Sequence, residues 1–216
     1  MNLWVIIPVK PFVRAKSRLS AALTPAERSE LAERLLRHVL GVVRQTPQVA
    51  GTLVISRDSK VLAIARDFGA NTVAESGTPE LNSALMRATQ VVSIWRADAV
   101  LVLPADLPLI SPEDIAAMIE LARSSQTVVI ATDANQDGTN ALLIRPPGLI
   151  PYAYGEGSYE RHTRLAQDAR ATVKLYQSDR LALDIDLPED LQRYRRLLES
   201  GEPSLSLAAP DSAADG

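Results

Sequence analysis

The sequence contains no cysteine. Disulfide bonds, cysteine-based zinc sites and a cysteine nucleophile are therefore excluded. No apolar run reaches the ~20 residues that a membrane-spanning helix needs. The first residues, MNLWVIIPVK, also lack the charged start and long apolar segment of a secretion signal. We expect a cytoplasmic protein, without a membrane partner, whose first residues form a β-strand.

A global excess of positive charge is also absent. The chain has 23 Lys and Arg against 26 Asp and Glu, so we expect no nucleic-acid partner. Positive charge is nevertheless concentrated locally, because four basic residues within nine positions follow the first apolar run: Lys10, Arg14, Lys16 and Arg18. We interpret this basic segment as facing a small anionic ligand; a solvated basic loop is the alternative.

The standard phosphate-binding signatures are missing. Neither GxGxxG nor GxxxxGK[ST] follows the first apolar run. Lysine and arginine on a turn can still neutralise a triphosphate and the charge that develops on a leaving pyrophosphate. The basic segment therefore stays a candidate phosphate site without a glycine-rich loop.

Short aliphatic runs predict buried strands separated by helical patterns. We predict strands at 3–9, 51–56, 99–104, 127–132 and 140–144, with further candidates at 172–176 and 181–185. Capping patterns predict helices that start at Thr24 and Ser111, and Asp58 with Gly69 brackets another. The alternation predicts an α/β, Rossmann-like three-layer sandwich with a mixed, mostly parallel sheet, in which ligands bind beyond the carboxyl ends of strands.

The chain is predicted to hold one domain. Residues 1–200 carry the strand and helix patterns, and no internal repeat is present. Residues 201–216 are rich in Pro, Ser, Ala and Asp and show no helical or strand period, so they are predicted to be a disordered tail.

One carboxylate is placed at a predicted strand end. The segment VLVLPADLPLIS brings Asp106 out of a buried run between two prolines. A carboxylate at the carboxyl edge of a sheet suits Mg²⁺, which prefers oxygen ligands. An aspartate that bonds its own backbone in a turn is an equally good interpretation of this residue alone.

Two further carboxylates alternate in LALDIDLPEDL. Asp184 and Asp186 would point to the same side of an extended strand, where they repel each other unless a cation lies between them. Asp186 could instead cap the following helix, since Asp186-Leu187-Pro188-Glu189 has the capping-box arrangement. Asp184 has no such second role and is the more informative residue.

A glycine-rich segment precedes a later helical pattern. Gly155-Glu156-Gly157-Ser158 leads into a helix whose free N–H groups suit a phosphate or carboxylate, with Arg161 and His162 one turn along. The alternatives are an ordinary serine N-cap and a surface histidine.

Taken together, these segments resemble a known family. The segments PVKPFVRAKSRL, GTPELNSAL, LPADLPLI, GTNAL, GEGS and DIDLPEDL are similar to those of the nucleotidyltransferases that guanylylate 2-phospholactate or phosphoenolpyruvate in biosynthesis of the deazaflavin coenzyme F420. Their order and GEGSxxRH carry the resemblance, which covers the chain except its tail. Related molybdopterin enzymes have a glycine-rich first loop, whereas this one is rich in proline and lysine. The resemblance implies a nucleotide-diphospho-sugar-transferase-like fold.

The resemblance also implies roles for individual residues. Lys16 and Asp106 would be catalytic, and Mg²⁺ would be held by Asp106, Asp184 and Asp186. The implied nucleotide site consists of Pro8, Val9, Lys10, Lys16, Arg18, Leu81, Asn82, Ala84 and Pro104, with the basic residues along the GTP phosphates. The implied acceptor site consists of Thr139, Gly155 and Ser158, with Arg161 and His162 nearby.

The implied reaction is transfer of GMP from GTP to the phosphate of phosphoenolpyruvate or 2-phospho-L-lactate, with release of pyrophosphate. The partners would be GTP and a phosphorylated three-carbon acid, and 3-phosphoglycerate is a third possible acceptor. A phosphate with a second pKa of about 6 is already an anionic nucleophile at pH 7. It needs no covalent enzyme intermediate, in keeping with the missing cysteine and Ser-His-Asp pattern. A homodimer is the assembly we expect.

Two other functions are compatible with parts of the sequence. Asp184-Ile185-Asp186 also looks like the DxD motif of metal-dependent glycosyltransferases that use nucleotide sugars, although there the motif follows a middle strand. A non-catalytic nucleotide-sensing domain is the other alternative. Pyrophosphate release separates the predicted reaction from sugar transfer, which yields none.

Overall fold

The structure, a computed structural model, describes residues 1–76 and 80–200. Its seven strands are β1 (Leu3–Val9), β2 (Val49–Ser56), β3 (Asn71–Ala74), β4 (Ala99–Val102), β5 (Thr127–Thr132), β6 (Thr139–Arg145) and β7 (Thr172–Leu175). Its six α-helices are α1 (Pro25–Arg44), α2 (Ser59–Asp67), α3 (Leu81–Ile94), α4 (Pro112–Leu121), α5 (Ser158–Asp168) and α6 (Pro188–Glu199).

All seven strands form one sheet in the order β3-β2-β1-β4-β6-β5-β7. Strand β6 runs antiparallel to both of its neighbours, and every other pairing is parallel. One core packs α1, α2 and α4 against one face of the sheet, and a second core packs α3 and α5 against the other. The predicted three-layer α/β sandwich with a mixed, mostly parallel sheet is confirmed.

The central strands are aliphatic because helices cover them on both faces. All four residues of β4 are buried, and so are Ile6 and Ile7 of β1, which pairs with β4. The loops beyond the carboxyl ends of these strands carry polar residues that were predicted above as site residues.

Local sequence signals position α1 as predicted. Glu27 accepts hydrogen bonds from the backbone nitrogen and hydroxyl of Thr24, and the Thr24 hydroxyl accepts one from the backbone of Glu27. Pro25 occupies the first turn, where its missing N–H costs no helical hydrogen bond. The helix ends at Arg44, shortly before Pro47, and its apolar face includes Leu35 and Val39.

Two elements were not predicted, and one predicted strand is absent. β3 is a short, half-polar edge strand, and α3 follows a segment that gave no capping signal we recognised. Residues 181–185, predicted as a strand, form no regular structure. Their alternation is nevertheless real, because Leu181, Leu183 and Ile185 are buried while Asp184 is half-buried. Burial of every second side chain alone therefore produced the strand-like pattern.

Two helix caps that the sequence left open as alternatives are wrong. The N-cap of α5 is Gly157, with a φ of 66°, so Ser158 is the first helical residue rather than the cap. Asp186 does not cap α6: Asp190 accepts hydrogen bonds from the backbone nitrogens of Asp186 and Leu187. The carboxylate of Asp186 is therefore left available for another role.

Within 1–76 and 80–200, no helix is both long enough and apolar enough to cross a membrane. The tail predicted over 201–216 lies outside the described residues, as do residues 77–79 of the GTPELNSAL segment.

Candidate active site at the carboxyl edge of the sheet

Three carboxylates converge at this edge from two distant parts of the chain. Asp106 follows β4, while Asp184 and Asp186 lie in the irregular segment 176–187 between β7 and α6, which we call the arm. One oxygen from each of the three lies within 4.8 Å of the others. The backbone N–H of Ile185 donates to the carbonyl of Asp106 at 3.2 Å, which ties the two segments together.

The electrostatics of this carboxylate triad fit a cation. Burial, together with the charges of Asp106 and Asp186, raises the pKa of Asp184 to about 6. Oδ1 of Asp106 is buried and has no hydrogen-bond partner in the described part of the chain. Closely spaced carboxylates and an unsatisfied buried oxygen are the environment in which a divalent cation with oxygen ligands is stabilised. The residues present therefore suit Mg²⁺.

Lys16 is the positive charge nearest the triad. Its Nζ donates to Asp106 at 2.8 Å and to Asp186 at 3.1 Å, and its side chain is 7% exposed. Burial works against the ammonium, but the two carboxylates outweigh it and raise the pKa of Lys16. Arg18 lies 3.8 Å from Asp186, while Lys10 and Arg14 are exposed. Two residues of the basic segment, Lys16 and Arg18, thus lie at the triad, and the other two face solvent.

Asp114 holds the beginning of the arm in place. This carboxylate is fully buried at the start of α4 and accepts hydrogen bonds from Tyr176, Ser178 and Arg180 of the arm and from the backbone and hydroxyl of Ser111. Although burial opposes it, these hydrogen bonds keep the pKa of Asp114 below its usual value. Because the arm forms no strand, side-chain hydrogen bonds of this kind add to its few backbone hydrogen bonds in fixing its path.

Asn140 fixes the next part of the arm. From the start of β6, its Nδ2 donates to the carbonyl of Leu181 at 2.8 Å and to Oδ1 of Asp184 at 3.2 Å. Sequence reasoning missed both Asn140 and the role of Asp114. An asparagine inside the aliphatic run NALLI was the available signal, because a buried amide needs polar partners.

The predicted acceptor residues form a second cluster. Ser158 donates to Oγ1 of Thr139 at 3.2 Å, and Nδ1 of His162 lies 3.0 Å from the same oxygen. His162 is 0% exposed, so the surface-histidine interpretation is wrong, and it makes no direct contact with solvent-accessible space. Arg161 is exposed and its guanidinium lies over Gly155, where an added Cβ would be 3.1 Å away.

The N-terminus of α5 is already occupied by the chain itself. Asp137 accepts from the backbone nitrogens of Gly157 and Tyr159, the first through its carboxylate and the second through its carbonyl. The backbone nitrogen of Ser158 donates to Gly155. The prediction that free N–H groups here receive an anion is therefore corrected, and side chains become the main donors of this cluster.

The residues implied for the nucleotide are spread along the same edge. Leu81 is 41% exposed, whereas Ala84 is buried. The amide of Asn82 is paired with the backbone of Tyr154, accepting at 2.8 Å and donating at 3.4 Å. Pro8, Val9 and Pro104 are half-buried at the ends of β1 and β4. Asn82 thereby joins the start of α3 to the loop before Gly155.

One cavity of about 540 Å³ connects the triad with the acceptor cluster. Its lining includes Thr139, Gly155, Asp184, Asp186 and Arg18. A ligand in this cavity can therefore contact the hydroxyl cluster and the carboxylate triad at once.

Removing the charge of Asp114 should loosen the arm. We expect Asp114→Asn to lower the free energy of unfolding by about 2 kcal/mol, because hydrogen bonds to a buried carboxylate are weakened together. Urea unfolding measures this, and hydrogen exchange at 181–185 should speed up. The exposed neighbour Glu113 supplies the control, since Glu113→Gln should change stability by under ~0.5 kcal/mol. Equal stability of both variants would contradict the role of Asp114.

Stability of the metal-free protein should depend on Asp184. With its pKa raised to about 6, the folded chain keeps a proton that the unfolded chain releases between roughly pH 4 and 6. Its contribution is therefore lost as pH rises through that window. We expect Asp184→Asn to be more stable than the native chain at pH 7.5, by on the order of 2 kcal/mol, and equally stable near pH 4. Unfolding in a chelating buffer tests this.

The control for this pH series is Asp179→Asn, which changes an exposed aspartate of the same arm. Its stability difference from the native chain should stay constant across the window. A constant difference for Asp184→Asn as well would show that Asp184 has an ordinary pKa.

Comparison with known proteins identifies the family. Residues 3–199 match the family described as "Guanylyl transferase CofC like". The phosphoenolpyruvate guanylyltransferase of Rubrobacter xylanophilus is 40% identical over 193 residues, which cover 89% of this chain and 93% of that protein. The 2-phospho-L-lactate guanylyltransferase of Methanothermobacter thermautotrophicus is 36% identical over 191 residues, covering 88% and 83% of the two chains.

Among solved structures, a protein of Desulfovibrio desulfuricans G20 assigned as a nucleotide-diphospho-sugar transferase shares the fold. It superposes with a TM-score of 0.75 at 17% identity, covering 96% of this chain and 93% of the other. The sequence matches span nearly the whole described chain, including both segments that supply the carboxylate triad. The chain therefore belongs to the CofC-like guanylyl transferase family and is a nucleotidyltransferase enzyme with guanylyl transfer function.

Proposed function

We propose that this enzyme transfers GMP from GTP to the phosphate of phosphoenolpyruvate and releases pyrophosphate, as a step in biosynthesis of the deazaflavin coenzyme F420. The observation that carries the proposal is a single cavity whose lining joins two of the three triad carboxylates to the Thr139 hydroxyl cluster. A nucleotide's reacting phosphate and a small phosphorylated acid need such neighbouring sites.

Mg²⁺ would be held by Asp106, Asp184 and Asp186. When bound, it would supply charge neutralisation at the reacting phosphates. Asn140 orients Asp184 by donating to its Oδ1, and Asp190 holds the backbone at Asp186 by accepting from the backbone nitrogens of Asp186 and Leu187. These contacts keep the carboxylates directed at one point, which is the requirement for a rigid oxygen-ligand site.

The basic segment would bind the triphosphate. Lys16 is held at the triad and is the best-placed cation for the phosphates nearest the reaction, while Arg18 and the exposed Lys10 would bind those further out. Negative charge builds up on the leaving pyrophosphate as the bond breaks, and fixed cations stabilise it. Lys16 and Asp106 would therefore have the most direct catalytic roles.

In the reaction, a phosphate oxygen of the acceptor attacks the α-phosphorus of GTP. One phosphorus–oxygen bond forms there, the bond from the α-phosphorus to the bridging α,β-oxygen breaks, and pyrophosphate leaves with that electron pair. The acceptor phosphate is largely a dianion at pH 7, so no side chain has to remove a proton. The contribution of the chain is positioning and charge neutralisation.

The choice of acceptor and nucleotide is supported by the relatives. The Rubrobacter relative, at 40% identity, is named for phosphoenolpyruvate, and the relative named for 2-phospho-L-lactate is 36% identical. Guanosine would lie near Leu81, Asn82 and Ala84, next to the residues that bind the phosphates. Thr139, Gly155 and Ser158 would surround the acceptor, with Arg161 at the rim. A homodimer and a cytoplasmic location remain our predictions for assembly and place.

Pyrophosphate release measures the proposed reaction directly. We expect release from GTP and Mg²⁺ with phosphoenolpyruvate, and slower or no release with 2-phospho-L-lactate or 3-phosphoglycerate. ATP and CTP in place of GTP serve as nucleotide controls, and a pyrophosphatase-coupled phosphate assay follows the product. If no acid gives pyrophosphate release and the protein hydrolyses a nucleotide sugar, sugar transfer would be the better assignment. Tight GTP binding without turnover would instead indicate nucleotide sensing.

Neutralising one triad carboxylate should abolish most of the activity. We expect Asp106→Asn to lower kcat by about 100-fold or more, the typical effect of removing one electrostatic contact with the transition state. Isothermal titration with Mn²⁺ should show weaker metal binding in the same variant. Glu156→Gln is the matched control, because Glu156 lines the same cavity, is exposed and lies outside the triad. Normal turnover of Asp106→Asn at saturating Mg²⁺ would refute the triad as a metal site.

A further inference from the structure

The proton on His162 can be assigned from its partners. The backbone N–H of Ala153 points at Nε2 of His162 at 2.9 Å, and a backbone N–H can only donate. Nε2 must therefore carry a lone pair, and a neutral imidazole then carries its proton on Nδ1. Burial and the neighbouring charge of Arg161 lower the pKa of His162 to about 4, so the ring is neutral at pH 7.

This assignment determines what the hydroxyl of Thr139 can do. Nδ1–H of His162 donates to Oγ1 of Thr139 at 3.0 Å, and Oγ of Ser158 donates to the same oxygen at 3.2 Å. A hydroxyl oxygen has two lone pairs, and both are now used. Its own proton has no acceptor among residues 1–76 and 80–200. Thr139 lines the cavity, so this proton is available to a ligand there.

We propose that His162 is a positioning residue, which sets the Thr139 hydroxyl as an obligate hydrogen-bond donor toward an oxygen of the acceptor substrate, such as a carboxylate or phosphate oxygen. The proposal rests on the proposed function, since it concerns the acceptor in the same cavity. His162 itself is 0% exposed and acts only through Thr139. The hydroxyl of Ser158 donates its proton to Thr139 inside the cluster. A ligand therefore meets one hydroxyl donor from Thr139 and Ser158 rather than two.

The consequence is a preference for a ligand oxygen that can accept. A group that can only donate, such as an amine or amide N–H, would meet a donor opposite a donor, and a site with such a mismatch rejects the ligand strongly. A carboxylate or phosphate oxygen is preferred over a neutral oxygen, because hydrogen bonds to charged acceptors are stronger. The cluster therefore contributes to the recognition of an acid through a neutral donor.

Two replacements of His162 separate this role from a structural one. Asparagine keeps an N–H near the position of Nδ1 and loses the contact with Ala153, whereas glutamine keeps an oxygen near the position of Nε2 and loses the donor to Thr139. We expect His162→Gln to raise the KM for the acceptor about tenfold, with kcat and the KM for GTP nearly unchanged. His162→Asn should stay within about threefold of the native KM. The reverse order would show that His162 acts only by supporting Ala153, and would overturn the proposal.

A matched pair at Thr139 tests the hydroxyl itself. Thr139→Ser retains the donor and should keep the acceptor KM within about threefold, while the isosteric Thr139→Val removes it and should raise that KM at least tenfold. The KM for GTP serves as the internal control in both. Equal values for the two variants would show that the hydroxyl does not contact the acceptor.

Nitrogen NMR of the native protein tests the proton assignment without any variant that could fail to fold. The chain has two histidines, His38 and His162, so labelled histidine gives a spectrum that one His38→Gln sample assigns. We expect His162 to be the Nδ1–H tautomer at pH 7. Finding the Nε2–H tautomer or an imidazolium would overturn the proposal. If native enzyme releases no pyrophosphate with any acid, the proposed function fails instead, whatever the tautomer.

Discussion

Repulsion among three carboxylates at one edge of the sheet is the constraint on which the rest of the site depends. One oxygen from each of Asp106, Asp184 and Asp186 lies within 4.8 Å of the others, and burial together with the charges of Asp106 and Asp186 raises the pKa of Asp184. Lys16 offsets part of the repulsion. Hydrogen bonds elsewhere must offset the remaining repulsion. The buried Asp114 accepts such hydrogen bonds from the arm, which forms no strand. The buried carboxylate of Asp114 thus helps to keep the three carboxylates of the triad together.

The reversed direction of β6 brings the two halves of the site together. In a purely parallel sheet, strands would begin at the opposite edge from the triad. Val102 at the end of β4 pairs with Leu142, so Thr139 and Asn140, at the start of β6, extend past the end of β4. Asn140 there binds the arm, and Thr139 lines the cavity. One antiparallel strand is therefore enough to place Thr139, a proposed acceptor-binding residue, beside the carboxylates.

Much of this could be predicted from sequence, because burial and capping leave local signatures. The aliphatic run before Asp106 marked a central strand, and Thr24 with Glu27 marked the start of α1. Features that depend on contacts between distant parts of the chain were missed or wrongly predicted. Alternation at 184–186 has the same pattern with or without a partner strand, and His162 on a polar helix gives no sign of being buried. The pairing of Asn140 with an arm 41 residues away is a property of the tertiary structure alone.

The chain separation within the site has a consequence for how the enzyme comes into being. Lys16 and Asp186 are 170 positions apart, yet they share a hydrogen bond at the carboxylate triad. The basic segment leaves the ribosome before the arm, and domains acquire long-range contacts only when both partners have emerged. Nascent chains can therefore pair β1 with β2 and β4 while still lacking two of three carboxylates. The carboxylate triad is therefore complete only after the arm has left the ribosome.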